Sequence, residues 1–168
     1  MNRFIQSLTL ATLAACSAQA DLYKFVVPMD GGQEVLPNVG DPDGTGTAIL
    51  LIDSDALTID WHIMVDDISL TLTGAHIHQG NAGANGPVRI DFSSQLIGSG
   101  LFDVDLAGVL ANPTGWYVNV HNTDHRGGAI RGQIGPGEVI PESSTVLGAL
   151  GLGGLVAGAW VRRQRRGV

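Results

Sequence analysis

Hydrophobic and polar residues alternate along much of the chain. Between residues 57 and 65 every second side chain is apolar, from Leu57 through Trp61 to Val65, and the side chains between them are mostly polar. Residues two apart in a strand point to the same face, so a period of two indicates a strand with one buried face. This segment therefore predicts a strand that covers a core.

Similar apolar, β-branched or alternating segments recur along the chain, with Gly, Asp, Asn and Pro between them. They cover residues 22–29, 45–52, 70–78, 88–92, 101–106, 116–122 and 129–134. About eight short strands with such turns are typical of an antiparallel sandwich. We therefore predict an all-β fold, an antiparallel Greek-key or immunoglobulin-like β-sandwich. Only residues 105–111 have the pattern of a helical turn.

The first twenty residues have the features of a secretory signal peptide. Arg3 precedes a mostly apolar run, and the small residues Ala18 and Ala20 stand where cleavage before Asp21 would need them. Such cleavage removes Cys16, the only cysteine, and with it any disulfide. The alternative is that residues 13–16 resemble a bacterial lipobox, in which Cys16 becomes the lipidated first residue. Both interpretations predict export.

Residues 141–168 predict a membrane anchor. The apolar run at residues 145–161 would reach roughly 26 Å as a helix, enough to cross a thin bilayer. Four arginines follow it, and basic residues after a membrane helix favour the cytoplasmic side. They are Arg162, Arg163, Arg165 and Arg166. Residues 21–140 would then form the domain outside the inner membrane.

Pro141 and Glu142 stand before this apolar run, and Ser143 takes the place of a second proline. Together with the terminal arginines they resemble a PEP-CTERM sorting tail. The resemblance implies processing by an exosortase-type enzyme in a Gram-negative bacterium. It also implies delivery to the cell surface or to the extracellular polysaccharide matrix, where polysaccharide or surface proteins are the expected partners. The alternative is an ordinary single-pass anchor.

The charge of residues 21–140 excludes one class of partner. Fifteen acidic residues stand there beside only four basic ones, so this region is more acidic than the whole chain, whose net charge is −7. Binding to nucleic acid requires clustered Lys and Arg side chains. We therefore expect no nucleic-acid partner.

Three histidines form the candidate metal site. His76 and His78 are two residues apart and project from the same face of their predicted strand. His121 shares the face of Tyr117 and Asn119 in a later strand and joins them if the strands are neighbours. Three neutral imidazoles suit copper or zinc. His125, in the following turn, is a weaker fourth candidate, and nothing in the sequence links His62 to the site.

The strand that carries His76 and His78 predicts an irregularity. Leu70 and Leu72 are separated from both histidines by even numbers of residues, so a regular strand would place all four side chains on one face. Two leucines and two histidines can hardly face one core. A bulge or bend at Gly74 would turn the leucines inward and the histidines outward.

Residues 74–80, 117–122 and 128–134, which contain these histidines and the sequence Ile130-Arg131-Gly132-Gln133, resemble the CHRD domain. This module was first described in chordin and also occurs in bacterial secreted proteins. The resemblance runs over about residues 22–134 and includes residues 33–37, which are similar to an early motif of the family. It implies a fold and an extracytoplasmic location rather than an activity.

Two functions remain open at this point. The first is a non-catalytic surface or matrix module that binds a protein, a glycan or a metal. The second is a copper- or zinc-dependent oxidoreductase, because a His-x-His strand in a β-sandwich is similar to copper/zinc superoxide dismutases. Those enzymes need a bridging imidazole, a zinc-site aspartate and a disulfide, which weighs against the second function.

A structural role for the histidines is the third interpretation. The imidazoles would then bond the backbone of the turn at residues 79–86, and Asn119 and Arg131 would complete a polar network. The alternative for Arg131 is an ion pair with a carboxylate such as Asp91 or Asp124, and the sequence does not choose between the two roles.

Overall fold

The computed structural model describes residues 21–140. The predicted signal peptide lies outside the described residues. So do the predicted sorting motif, the membrane helix at 145–161 and the terminal arginines. Among residues 21–140 no helix is long and apolar enough to span a membrane.

Nine strands make up most of this region. They are β1 (Leu22–Asp30), β2 (Thr45–Asp53), β3 (Thr58–Asp66), β4 (Leu72–Gln79), β5 (Val88–Asp91), β6 (Ile97–Phe102), β7 (Trp116–Asn122), β8 (Ile130–Gln133) and β9 (Glu138–Ile140). One short helix, α1 (Leu106–Ala111), and two 3₁₀ turns complete the described elements.

The strands form one antiparallel sheet in the order β5-β4-β7-β8-β1-β2-β3-β6, with β9 paired to β1. The two end strands, β5 and β6, are consecutive in the chain, so the short link at residues 92–96 requires the sheet to curl. This link bonds to both halves of the sheet. Ile63 on β3 donates its N–H to Leu96 O at 2.7 Å, and Phe92 donates to Ala75 O on β4 at 2.9 Å.

The core fills the inside of this curl. Alternate residues of the strands, among them Phe25, Leu50, Ile77 and Val118, are buried there. Trp61 on β3 stacks on Phe92 with ring centroids 4.4 Å apart. Aromatic stacking therefore joins the two ends of the sheet around a shared apolar centre.

The predicted all-β antiparallel class and the approximate strand number are confirmed, as is the helical turn near residues 105–111. The strands form one continuous curled sheet, and a Greek-key or immunoglobulin-like arrangement stays a prediction. β6 begins four residues before the predicted segment. Its ladder with β3 uses Gly98, where an added Cβ would lie 2.2 Å from the Trp61 ring. A glycine of this kind leaves no apolar signal in the sequence.

The predicted irregularity at Gly74 is present. The pairing of β4 with β7 shifts register between Leu72 and Gly74. Leu72 packs against the core as expected. Leu70 does not, because β4 begins only at Leu72 and leaves Leu70 71% exposed.

Candidate metal centre

The register of β4 and β7 brings the three predicted histidines together. Gly74 lies opposite His121, His76 opposite Asn119, and His78 opposite Tyr117. The residues between them, such as Ala75 and Ile77, are buried in the core. The imidazoles consequently lie on the other face of the sheet.

The histidine trio, His76, His78 and His121, is compact enough to hold a metal ion after a small adjustment. One ligand atom from each residue lies within 4.8 Å of the other two. The ring centroid of His76 is 5.1 Å from that of His121 and 5.6 Å from that of His78. Gly74 makes room for this arrangement, because a Cβ there would lie 2.4 Å from His76 Cε1.

Each imidazole has one nitrogen next to an oxygen acceptor. His78 Nδ1 lies 3.0 Å from the carbonyl oxygen of Gly86, and His121 Nδ1 lies 3.0 Å from that of Arg126. A carbonyl only accepts, so both rings carry their proton on Nδ1 and donate it. His76 Nε2 lies 3.5 Å from Asp91 Oδ1, which favours a proton on Nε2 of that ring.

The remaining nitrogens have no hydrogen-bond partner among residues 21–140. His76 Nδ1, His78 Nε2 and His121 Nε2 are buried and form no hydrogen bond. Buried polar atoms normally have partners. A histidine that ligates a metal typically donates its other N–H to a carbonyl or carboxylate. His78 and His121 have this pattern, and His76 Nε2 lies 3.5 Å from Asp91 Oδ1. A metal ion between the rings would satisfy all three lone pairs.

The electrostatic surroundings keep these imidazoles neutral. Burial lowers the pKa of His78 from 6.5 to about 4, and the Gly86 carbonyl opposes that shift only in part. Burial also lowers the pKa of His76, where the charge of His121 adds to the effect and Asp91 opposes it. Burial likewise lowers the pKa of His121. Neutral imidazole is the form that binds a metal.

The His78 ring packs against a stack of two further side chains. The Tyr117 ring lies nearly parallel to the imidazole at 4.8 Å. The guanidinium carbon of Arg131, on β8, lies 3.4 Å from the Tyr117 ring centroid. Arg131 Nη2 donates to the carbonyl oxygens of Asn81 at 3.1 Å and Ala84 at 3.0 Å. The loop that carries Gly86 is thereby fastened beside the trio.

This arrangement distinguishes between the two roles that the sequence left open for Arg131. Within residues 21–140 its guanidinium forms no ion pair with Asp91 or Asp124. It instead bonds loop carbonyls and stacks on Tyr117, because β8 places it beside β7 under the loop. Asp91 turns towards His76. Of the expected loop-anchoring network, His78 and Arg131 bond carbonyls of residues 81–86, whereas His121 bonds Arg126 instead.

A row of polar side chains crosses five strands through this site. In the order of the sheet it runs Asp91, His76, Asn119, Arg131 and Asp30, each opposite the next. Asn119 and His121 are two residues apart, so the sequence alone placed them on the same face of their strand. The pairing of Asp91 with His76 and the stacking of Tyr117 depend on strand register, which the sequence pattern does not contain.

The other two histidines lie apart from the trio. His125 Nδ1 lies 3.0 Å from the Val39 carbonyl oxygen, and its Nε2 lies 3.6 Å from Asp41 Oδ2. It therefore holds the turn at residues 39–41 and is not a fourth member of the cluster. His62 is exposed on β3, in agreement with its sequence position.

Residues 25–134 match the CHRD domain family, and this span contains the whole trio and its partners. The chain belongs to the CHRD domain family. No curated protein and no solved structure matches it. The family match agrees with the resemblance seen in the histidine segments.

Proposed function

We propose that this CHRD protein is an exported binding module whose domain holds one zinc or copper ion. His76 would ligate through Nδ1, and His78 and His121 through Nε2. The observation that carries the proposal is that the three buried nitrogens without partners belong to neighbouring rings, each with its other nitrogen next to an oxygen acceptor. Three imidazoles are a donor set that suits both metals.

The burial of the site favours binding over catalysis. All three free nitrogens have almost no contact with solvent. A catalytic zinc or copper site keeps a coordination position that substrate or water can reach. A non-catalytic metal site that stabilises the domain is therefore the first candidate.

A copper- or zinc-dependent oxidoreductase is the second candidate. It is supported by the number of ligands, because three histidines leave a fourth position on a tetrahedral ion. Turnover of superoxide by the copper-loaded protein would support this candidate, and a metal-loaded protein without redox turnover would reject it.

The proposal includes export and surface attachment. The apolar run at residues 145–161 would anchor the chain until an exosortase-type enzyme acts at Pro141 and Glu142. The domain would then reach the cell surface or extracellular matrix, with polysaccharide or surface proteins as partners. A Greek-key or immunoglobulin-like relationship of the strands is part of the same proposal.

Metal titration of the purified full-length chain tests the proposed site. The protein is stripped with a chelator and titrated with zinc and with copper, and the retained metal is measured after dialysis. The wild-type protein should retain one equivalent, and the His76→Ala/His78→Ala double variant should retain none. His62→Ala is the matched control and should behave as wild type. A wild-type protein without stoichiometric metal, or a double variant that keeps it, would reject the site.

The sorting tail has a separate test. Intact-mass measurement of the surface form from the native host should show a chain that lacks residues 162–168. A surface form that retains those residues would reject the sorting interpretation while leaving the metal site unaffected.

A further inference from the structure

The outer face of β1, β2 and β3 carries apolar side chains that lie outside the core. In each of these neighbouring strands every second residue faces the core. The residues between them face outwards and include four that we call the outer patch, namely Val26, Ile49, Leu51 and Met64. Val26 is 55% exposed and Met64 44% exposed, and the other two are half-buried. The open face of an antiparallel sheet is ordinarily polar, so the outer patch indicates a surface that binds a partner.

Strand register joins the outer patch to a pair of opposite charges. Val26 on β1 lies opposite Ile49 on β2. In the next row, two residues along each strand, Lys24 lies opposite Leu51, and Leu51 lies opposite Asp60. Leu51 therefore stands between a cation on one neighbouring strand and an anion on the other.

Neither charge of this row has an ion-pair partner within residues 21–140. Asp60 is exposed, and its Oδ1 accepts from Gly100 N at 2.7 Å. Lys24 is half-buried and has Glu138 opposite it on β9, but the two form no ion pair. Both charges are consequently available to another molecule.

A second copy of the chain fits both the outer patch and this charge pattern. A two-fold axis parallel to β2 and lying over Leu51 places β1 of each copy over β3 of the other. Lys24 of each copy then lies over Asp60 of the partner subunit, and the two Leu51 side chains meet between these pairs. A two-fold axis across the strands keeps β1 over β1, so Lys24 cannot meet Asp60. Stacked sheets with nearly aligned strands are a common packing.

The overall charge opposes this association, but screening limits the opposition. Residues 21–140 contain fifteen acidic and four basic residues. At physiological ionic strength charges more than about 8 Å apart are largely screened, whereas contacts between Lys24 and Asp60 act at shorter range. Asp30 and Asp66 lie about 20 Å along their strands from that row. Asp53 is nearer, but its Oδ1 accepts two backbone N–H groups of the turn after β2.

We propose that the outer patch joins two copies of this chain in a face-to-face dimer, with reciprocal Lys24–Asp60 ion pairs on either side of Leu51. β1, β2 and β3 are each nine residues long, which gives a shared face of about 30 Å by about 15 Å. A face of this size is at the small end of specific interfaces, so the dimer is weak and its subunits exchange.

Native mass spectrometry of the full-length chain, released from detergent over a series of concentrations, tests the dimer. The wild type is compared with Val26→Glu, Lys24→Asp and Asp60→Lys, and circular dichroism checks that each variant is folded. Val88→Glu is the matched control, because Val88 is a strand valine of β5 that is 46% exposed and lies outside the outer patch. In mixtures one variant is isotope-labelled, so that a mixed dimer has its own mass.

The wild type should pass from monomer to dimer as its concentration rises. Val26→Glu should stay monomeric, because it places unpaired charges in an apolar contact. Lys24→Asp and Asp60→Lys should each weaken the dimer by about tenfold or more, since like charges then face each other. An equimolar mixture of these two variants should restore a mixed dimer, because one copy supplies both anions and the other both cations. Val88→Glu should behave as the wild type.

Any of three results would overturn the proposal. The first is a wild-type chain that stays monomeric up to its solubility limit, as it would if another segment of the chain lay on the outer patch. The second is a dimer that folded Val26→Glu retains, which would place the contact elsewhere, for example in residues 145–161. The third is a mixture of the two folded charge variants that gives no mixed dimer. If Asp60→Lys does not fold without its bond to Gly100, the Val26→Glu and Lys24→Asp results decide. The outer patch contains no residue of the trio, so metal retention and dimer formation are tested independently.

Discussion

Two strands from different halves of the sheet, β3 and β7, use the same alternating pattern in different ways. In β3 the core face is apolar and the opposite face, with Asp60, His62 and Met64, is exposed. In β7 the core face is equally apolar, but Tyr117 and Asn119 on the opposite face are buried as well. β3 is therefore covered on one side, whereas β7 is covered on both.

The difference shows what a second buried layer requires. Loops after β1 and β4 cover the outer face of β4, β7 and β8, so polar side chains there lose water and need other partners. Loop carbonyls satisfy many of them. Among the described residues, three imidazole nitrogens and Arg131 Nη1 are left without a hydrogen-bond partner. His62, on the open face, has solvent and needs no such partner.

Replacement of a core residue should have the largest effect on stability. Ile77 lies between His76 and His78 but faces the core with no exposure. Ile77→Ala should lower the free energy of unfolding by about 2–5 kcal/mol, because it leaves a cavity. Urea unfolding measures it, with Ile97→Ala as the control, since Ile97 is 66% exposed. An equally small loss in both variants would mean that β4 is not packed as described.

Removal of the Asp91 charge should have the next largest effect, which is a loss of affinity for the metal. Asp91→Asn keeps the oxygen that accepts from Ser93 N but removes the charge beside His76 Nε2. Loss of such an outer partner typically weakens metal binding about 10–100-fold. Competition with a chelator of known affinity measures the change. Asp53→Asn, at an exposed turn with similar backbone bonds, is the control, and equal affinity in both variants would contradict the role of Asp91.

Acidification should destabilise the metal-free protein. The folded pKa of His78 is about 4 and its ordinary value is 6.5. The unfolded chain therefore binds the proton first as pH falls, and stability declines from pH 6.5 downwards until about pH 4. The loss by pH 5 is about 2 kcal/mol for this residue.

Urea unfolding of the wild type and of His78→Phe across this pH range checks the expected decline. Burial raises the pKa of Glu34, so its effect has the opposite sign, but both proteins contain Glu34 and the difference between them removes it. Parallel pH profiles for the two proteins would show that His78 is not buried in its neutral form.

Replacement of His125 should have the smallest effect of these four predicted changes. Its bond to the Val39 carbonyl fastens a turn, so His125→Ala should cost about 1 kcal/mol of unfolding free energy. Metal retention should stay at one equivalent, as in His62→Ala, whose stability should change by less than about 0.5 kcal/mol. Loss of metal in His125→Ala would show that the trio needs a fourth histidine.

The strands and the facing of the histidines were predictable from the sequence because both depend on local periodicity. The alternation of faces along a strand placed His76 with His78 and His121 with Asn119. The irregularity at Gly74 was expected because a regular strand would have put leucines and histidines on the same face. Strand pairing was not predictable in the same way. It decides that Asp91 meets His76 and that Arg131 stacks on Tyr117, and these contacts join residues that are distant in the chain.

Glu34 is a second residue whose surroundings could not be predicted from the sequence. Its local sequence indicates only an exposed turn after β1, and nothing nearby marks a buried carboxylate. It is covered because that turn lies against the loop after β4, where Asn85 Nδ2 donates to the carbonyl oxygens of Val35 at 3.1 Å and Leu36 at 3.3 Å. Contacts between two loops leave no periodic signal.

Anomalous diffraction from a crystal of the zinc-loaded protein tests the metal site most directly. The account predicts one peak about 2.0–2.1 Å from His76 Nδ1, His78 Nε2 and His121 Nε2, the usual zinc–nitrogen distance. His78 Nδ1 and His121 Nδ1 should stay bonded to the Gly86 and Arg126 carbonyls. A peak only at surface carboxylates, with the trio free of metal, would contradict the account.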